Sequence, residues 1–137
     1  MYSKKLMKYF KKPKNVGKIK NADAVGEAGN PLCGDIMHMY IKIKKSTKND
    51  WLKKHIIEDA KFETLGCGAA IAMSDRVIEL IKGKTIGEAE KLTPDDVAKG
   101  FDLPKQKIHC SVLGIEALKN AIIDYECKYS DIKQDPA

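Results

Sequence analysis

The stretch Phe62-Glu63-Thr64-Leu65-Gly66-Cys67-Gly68-Ala69-Ala70-Ile71-Ala72 predicts a β-strand that runs into an α-helix, with a cysteine at the joint. Aromatic, β-branched and aliphatic residues over 62–65 favour an extended strand. Small helix-forming residues follow from Ala69, and the glycines on both sides of Cys67 leave its sulfur unshielded. A thiol just before a helix lies near unpaired N–H groups, which favour the thiolate that binds metals or attacks electrophiles. For a single cysteine, a tight turn around a small buried residue is the alternative.

Three strands are predicted before this joint, and the last of them leads into it. Residues 36–44 alternate strictly, and the apolar side chains that share one face are Met37, Met39, Ile41 and Ile43. Residues 22–27 and 56–64 are predicted as the neighbouring strands, with a turn at 29–35 marked by Asn-Pro and glycine. Short connections between sequential strands favour an antiparallel meander.

Helices are predicted on both sides of these strands. An amphipathic helix over 3–11, with Leu6, Met7 and Phe10 as its apolar residues, ends before Pro13. Helix 69–82 ends before Gly83. Two short helices follow: one begins at Thr85-x-x-Glu88, a capping box, and ends near residue 92, and the other begins at Thr93-Pro94.

The longest predicted helix covers 111–129, and residues 131–137 are predicted to fray. Its apolar stripe consists of Leu113, Ala117, Leu118, Ala121, Ile122 and Tyr125. The predicted fold class is therefore α+β, a three-stranded antiparallel sheet with helices packed on it.

Length and composition predict one soluble domain over residues 1–137. The chain is 43% hydrophobic and 32% charged, and no apolar run approaches the roughly 18 residues of a membrane span. Because the basic start is not followed by an apolar segment, no secretion signal is predicted and a cytoplasmic protein is expected. Thiols stay reduced there, so the four cysteines indicate packing, metal or catalysis rather than disulfides.

The net charge of +6 is unevenly distributed. Residues 1–20 contain eight lysines and no acid, so the remaining 117 residues carry −2. This basic N-terminal segment is expected to be a solvated tail, and contact with nucleic acid or an acidic protein is the alternative. The segment lacks the aromatic signature of RNA-binding modules, which makes nucleic acid an unfavoured partner.

Three cysteines fall at predicted joints: Cys33 in the turn, Cys67 before a helix, and Cys110 at the start of the last helix. Further candidate groups lie beside them, namely Asp35, His109 and the charge of Lys107. The intervals of 33 and 42 residues differ from the paired knuckles of closed zinc sites, so spacing alone gives a moderate metal signal. Cys127 is expected to be a core or semi-exposed residue, and His38 and His55 to be surface or hydrogen-bonded histidines.

Three ordered motifs resemble those of IscU/NifU-type iron–sulfur cluster scaffold proteins. They are Gly29-Asn30-Pro31-Leu32-Cys33-Gly34-Asp35, Gly66-Cys67-Gly68-Ala69-Ala70-Ile71-Ala72 and Lys107-Ile108-His109-Cys110-Ser111, and Tyr2-Ser3 and Pro13-Lys14-Asn15-Val16-Gly17 match as well. The resemblance spans residues 2–129 and implies an α+β fold. It also implies a non-enzymatic scaffold for a transient [2Fe–2S] cluster, with sulfur from a cysteine desulfurase and delivery to apo iron–sulfur proteins.

Carried over residue by residue, the resemblance assigns cluster thiolates to Cys33, Cys67 and Cys110. It makes Asp35 and His109 auxiliary ligand candidates, Asp35 the residue that keeps the cluster labile, and Cys110 the persulfide acceptor. Lys107 would support the thiolate or persulfide by its charge. A [2Fe–2S] centre needs four protein ligands, and histidine can replace cysteine at some of them. Asp35, His109, a partner's residue or a cysteine of a second protomer in a homodimer are open alternatives for the fourth.

Two departures from the family pattern bear on partners. The chaperone-binding stretch usually reads Leu-Pro-Pro-Val-Lys, whereas here it is Leu103-Pro104-Lys105-Gln106-Lys107, which argues against recognition by a dedicated heat-shock ATPase. Residues 46–55 lengthen the loop between the first two cysteines relative to bacterial scaffolds.

The alternative function is a zinc-bound persulfide acceptor of the sulfurtransferase type, since Zn²⁺ suits the same donors when no cluster is present. That branch carries an insertion between the last two motifs that this sequence lacks, which favours the scaffold.

Overall fold

Helices and strands account for most of the computed structural model, which describes residues 4–30, 35–44, 54–65, 68–99, 101 and 109–134. In chain order these elements are α1 (Lys4–Lys11), β1 (Ala24–Asn30), β2 (Asp35–Lys44), β3 (Ile56–Thr64), α2 (Gly68–Ile81), α3 (Ile86–Glu90), α4 (Pro94–Ala98) and α5 (His109–Gln134). The predicted α+β class is confirmed.

The three strands form one antiparallel sheet in the order β1-β2-β3, which confirms the meander. The alternation of β2 sets its two faces: the side chains buried beneath the helices are Met37, Met39, Ile41 and Ile43. His38, Tyr40 and Lys42, on the opposite face, are half-buried. Period-two patterning therefore identifies which face of the sheet carries the core.

The hairpin between β1 and β2 is longer than predicted. Gly29 and Asn30, which composition assigns to a turn, belong to β1 and pair with Ile36 and Asp35. Composition indicates where a chain reverses, whereas the ladder of backbone hydrogen bonds decides how far pairing continues toward the reversal. At its other end β1 begins at Ala24 rather than at residue 22.

The helix α5 packs closely along β1, the edge strand. Asp124 accepts a hydrogen bond from the backbone N–H of Val25 at 3.0 Å, and the Asn120 side chain donates to the carbonyl of Glu27 at 2.7 Å. Burial raises the pKa of Asp124, but the Val25 N–H and the nearby Lys128 outweigh it and hold that pKa below its usual value. Side chains of α5 thus satisfy backbone groups that an edge strand would otherwise expose.

The predicted bounds of α5 are too short at both ends. The helix begins at His109 rather than Ser111, and residues 131–134, expected to fray, are helical. No glycine or proline interrupts residues 115–135, so nothing local forces the helix to end earlier. The predicted apolar stripe is buried as expected.

The shorter helices follow their capping signals. Thr85 and Glu88 form a reciprocal capping box at α3, and Thr93 and Asp96 form another at α4. Gly83 follows α2 with φ +80, the left-handed conformation that favours glycine after a helix. α3 ends at Glu90, two residues before the expected end.

The basic N-terminal segment is a packed part of the fold rather than the expected solvated tail. Its helix α1 matches the predicted bounds within one residue and lies against α2. Asp75, buried within α2, accepts hydrogen bonds from the backbone N–H groups of Lys14 at 3.0 Å and Asn15 at 2.8 Å, and from the Asn15 side chain at 2.9 Å. These bonds fix the segment that follows α1 to the body of the domain.

Candidate metal centre

The candidate site is built at the end of the sheet where β1 ends and β2 begins. Asn30, the last residue of β1, pairs with Asp35, the first residue of β2. Thr64, the last residue of β3, pairs with Met37, and the Leu65 N–H donates to the Ile36 carbonyl at 3.1 Å. The end of β3 therefore lies beside the hairpin that joins β1 to β2.

The helix α2 starts from this same end and runs antiparallel to β3. At the middle of α2, the Ser74 hydroxyl lies 3.3 Å from the sulfur of Met37, near the beginning of β2. Beyond its end, the Gly83 N–H donates to the carbonyl of Ile57, close to the beginning of β3, at 2.9 Å. Gly68, the first residue of α2, is consequently at the end of the sheet where the hairpin lies.

The start of α5 is at this end as well. From Asn120 to Cys110 the helix spans about 15 Å, whereas β1 spans about 10 Å from Glu27 to Asn30. Because Asn120 contacts Glu27, the first turn of α5 reaches slightly beyond the end of β1. Gly114, in the second turn of α5, packs against Val77 and Ser74 in the middle of α2. Both helices run antiparallel to β1 and β3, so both start at this end of the sheet.

The predicted site residues belong to these three places: the turn between β1 and β2, the start of α2 and the start of α5. Asp35 begins β2, and His109 and Cys110 are the first two residues of α5; their backbone positions are described. Cys33, Cys67 and Lys107 lie outside the described residues, as does the stretch 103–107. The described neighbours of the first two are Asn30 and Asp35 on either side of Cys33, and Leu65 and Gly68 on either side of Cys67.

Apolar side chains flank this end of the sheet, which the sequence did not indicate. Leu65, the first residue after β3, is 81% exposed. It borders a cleft of about 310 Å³ that is also lined by Ile36, His38, Glu63 and Thr64. Beside this cleft, burial and a 2.9 Å hydrogen bond to Glu63 raise the pKa of Tyr40. The surroundings of the candidate site are thus partly apolar.

The remaining cysteine and histidines have other environments. Cys127 is exposed on α5, about 25 Å along the helix from Cys110. His55 is buried and its Nδ1 lies 2.8 Å from the Tyr125 hydroxyl, as expected for a hydrogen-bonded histidine. His38 Nε2 lies 3.5 Å from a carboxylate oxygen of Glu27. Among the described residues, no three His, Cys, Asp or Glu side chains lie close enough together to hold a metal ion.

None of the helices within the described ranges is both long and apolar enough to cross a membrane.

Two solved structures share the fold. The first, from Fervidobacterium islandicum AW-1, is a putative iron–sulfur cluster assembly scaffold protein for the SUF system, with a TM-score of 0.66 and 27% identity over 88% of this chain and 96% of its own. The second, the N-terminal part of a NifU-like protein from Brucella abortus, also has a TM-score of 0.66, at 16% identity over 92% of this chain and 94% of its own.

Sequence comparison gives the same family. The NifU-like N terminal domain family matches residues 1–131. The iron–sulfur cluster assembly scaffold protein IscU 1 of Archaeoglobus fulgidus is 53% identical over 126 residues, 91% of this chain and 76% of that protein. The scaffold protein IscU of Escherichia coli K12 is 45% identical over 130 residues, 93% of this chain and 95% of that protein. The chain therefore belongs to the NifU-like N-terminal domain family, together with these scaffold proteins of the IscU type.

Proposed function

We propose that this protein, as one domain over residues 1–137, is a scaffold on which a [2Fe–2S] cluster is assembled and from which it is passed on. Cys33, Cys67 and Cys110 supply thiolates, and Asp35 or His109 supplies the fourth donor. The observation that carries the proposal is that three described parts of the fold meet at one end of the sheet: the paired ends of β1 and β2, the start of α2 and the start of α5. By covalent connectivity each candidate cysteine is in, or within two residues of, one of these parts.

The donor set suits a cargo that must be released. Thiolates are the usual ligands of [2Fe–2S] clusters, and a carboxylate or imidazole in one position is a harder donor than sulfur. The unpaired N–H groups at the starts of α2 and α5 favour the thiolate forms of Cys67 and Cys110. Three strong ligands and one weaker one hold the cluster while leaving a position at which a recipient's thiolate can attack.

Sulfur would arrive as the persulfide of a cysteine desulfurase. The Cys110 thiolate attacks the terminal sulfur of that persulfide, the S–S bond of the donor breaks, and the desulfurase thiolate leaves. Cys110 then carries the persulfide, whose negative charge Lys107 stabilises. Each sulfane sulfur takes two electrons to become sulfide, and a dithiol supplies them in the assay described next. Apo iron–sulfur proteins are the recipients of the finished cluster.

Anaerobic reconstitution tests the function. Cluster-free protein is incubated with ferrous iron, cysteine, a cysteine desulfurase and dithiothreitol, and is then separated from small molecules. We expect thiolate-to-iron charge-transfer absorption, with bound iron and acid-labile sulfide in equal amounts. Persulfide on the protein without iron absorption, with zinc bound, would contradict the scaffold and support a zinc-bound persulfide acceptor. The comparisons favour the scaffold, because the matched curated relatives are named as such.

Asp35 is proposed to keep the cluster labile. Replacing it in Asp35→Ala removes a weak, exchangeable donor at the start of β2, so we expect the cluster to transfer to an apo-ferredoxin about tenfold more slowly, in the range seen when groups around a metal are altered. The rate is followed by the rise of the ferredoxin spectrum. Asp95→Ala, an exposed carboxylate on α4, is the matched control. Equal transfer rates for Asp35→Ala and the wild type would remove Asp35 from this role.

A further inference from the structure

The ring of Phe10 lies directly on the backbone of Gly68. A Cβ atom placed on Gly68 would be 2.8 Å from two carbons of that ring, closer than real Cβ contacts allow. Gly68 is not among the described glycines with positive φ, so its backbone conformation does not itself require glycine. The missing side chain at position 68 is therefore explained by the approach of Phe10. One peptide bond separates this glycine from Cys67.

Tyr9 and Lys5, on the same helix, contact Phe101. Phe101 is the last described residue before His109 and Cys110. The rings of Tyr9 and Phe101 meet edge to face with centroids 5.2 Å apart. The ammonium of Lys5 lies 4.7 Å from the centroid of the Phe101 ring. Edge-to-face and cation–π contacts of this kind are directional and restrain the groups involved. The helix α1 thus contacts the residue next to Cys67 and a residue nine positions before Cys110.

The packing of Phe10 differs from that of a core residue. Phe10 is 42% exposed, so its ring covers the start of α2 from the outside and is not enclosed by the core. The chain just after α1 is held by Asp75 and by the Phe62 N–H, which donates to the Asn15 carbonyl at 2.9 Å. The ring is therefore held over Gly68 by a helix whose following segment is itself fixed to the core.

We propose that Phe10 is a positioning residue for Cys67: its ring lies against Gly68, the residue that follows this cysteine in the chain, and restrains the start of α2. The inference deepens the proposed function, since it concerns the same candidate site. An apolar ring at this place also excludes water from the start of α2, where unpaired N–H groups favour the thiolate. Removing the ring should make Cys67 more accessible and its bound iron easier to extract.

A double-mutant cycle tests the contact. Phe10→Ala removes the ring, and Gly68→Ala displaces it by adding the overlapping methyl group. In cluster-free protein, we expect each variant to raise the alkylation rate of Cys67 by iodoacetamide several-fold, measured by peptide mass spectrometry with Cys127 as internal reference. The double variant should match Phe10→Ala alone, because the methyl has no ring left to displace. Phe10→Tyr, which keeps the ring, should retain the wild-type rate.

The controls separate positioning from general loosening. Ile123→Ala truncates another exposed apolar side chain, 55% exposed and on the far part of α5, and should leave the Cys67 rate unchanged. Three outcomes would overturn the proposal: an unchanged Cys67 rate in both single variants, equal acceleration at all four cysteines, or additive effects in the double variant. In reconstituted Phe10→Ala, chelator extraction of iron should be about tenfold faster, the lower end of outer-shell effects.

The two proposals fail in distinguishable ways. Alkylation is measured without cluster, so selective acceleration at Cys67 supports the Phe10 contact even if reconstitution yields no iron–sulfur absorption and the scaffold proposal falls. Normal reconstitution with an unchanged Cys67 rate in both single variants leaves the scaffold proposal standing and refutes the role of Phe10.

Discussion

Replacing any one of Cys33, Cys67 and Cys110 by serine is expected to abolish stable cluster binding, with reconstituted iron reduced at least about tenfold. A serine hydroxyl stays protonated near neutral pH and is a poor iron ligand, whereas the thiolate is charged and soft. With three thiolates in the proposed donor set, losing one leaves two, too few to hold two irons. Bound iron, acid-labile sulfide and charge-transfer absorption after anaerobic reconstitution measure the effect.

Cys127→Ser is the matched control for these variants. Cys127 is exposed and shares α5 with Cys110, so the control has the same chemistry on the same helix but lies about 25 Å from it. Its iron content should equal that of the wild type. Loss of iron in Cys127→Ser, or full cluster content in any of the other three, would show that the donor set is wrong. Thermal unfolding of each cluster-free variant distinguishes ligand loss from unfolding.

Local patterns are enough to predict the sheet, but not where each strand ends. The alternation over β2 and the bounds of β3 are predicted correctly because each residue's side is fixed by its own position in the strand. Composition places Gly29 and Asn30 outside β1 because both favour turns, while cross-strand pairing includes them. A tertiary ladder thus overrides local preference at the ends of elements.

Long-range contacts are the part that the sequence conceals. Asp75 resembles a surface acid in a helix, yet it is 1% exposed and anchors the backbone of Asn15. Phe10 is predicted on an apolar helix face, but no local signal shows that Gly68 is its partner. Each motif identifies its own candidate ligand. Whether these ligands lie close together depends on the directions of α2 and α5 relative to the strands. Those directions follow from packing and not from any single motif.

Gly26→Ala is expected to destabilise the fold by about 3 kcal/mol, at the upper end of overpacking effects. A Cβ on Gly26 would overlap the carbonyl oxygen of Ala117 and the amide nitrogen of Ala121, and would lie 2.8 Å from the Cα of Ala121. These are backbone atoms of α5, which cannot turn aside as a flexible side chain can. In a strand, alanine is otherwise favoured over glycine by about 0.5–1 kcal/mol, so the sign of the effect reports the overlap. Urea unfolding followed by circular dichroism measures it.

Gly83→Ala serves as the comparison, because it separates conformational strain from overlap. Gly83 has φ +80. Apart from its two chain neighbours, no described residue has an atom within 4 Å of the place that a Cβ would occupy, so alanine there adds only left-handed strain, about 1–2 kcal/mol. Replacing Ala117 by glycine in the Gly26→Ala background should not restore stability, since the overlapped atom belongs to the backbone. Wild-type stability of Gly26→Ala would contradict the close packing of α5 on β1.

Because α5 begins with His109 and Cys110, a helix pushed off β1 should also carry its first turn away from the hairpin, and reconstituted iron should fall in the folded variant. The same glycine would then set both the packing of the core and the placement of the candidate site.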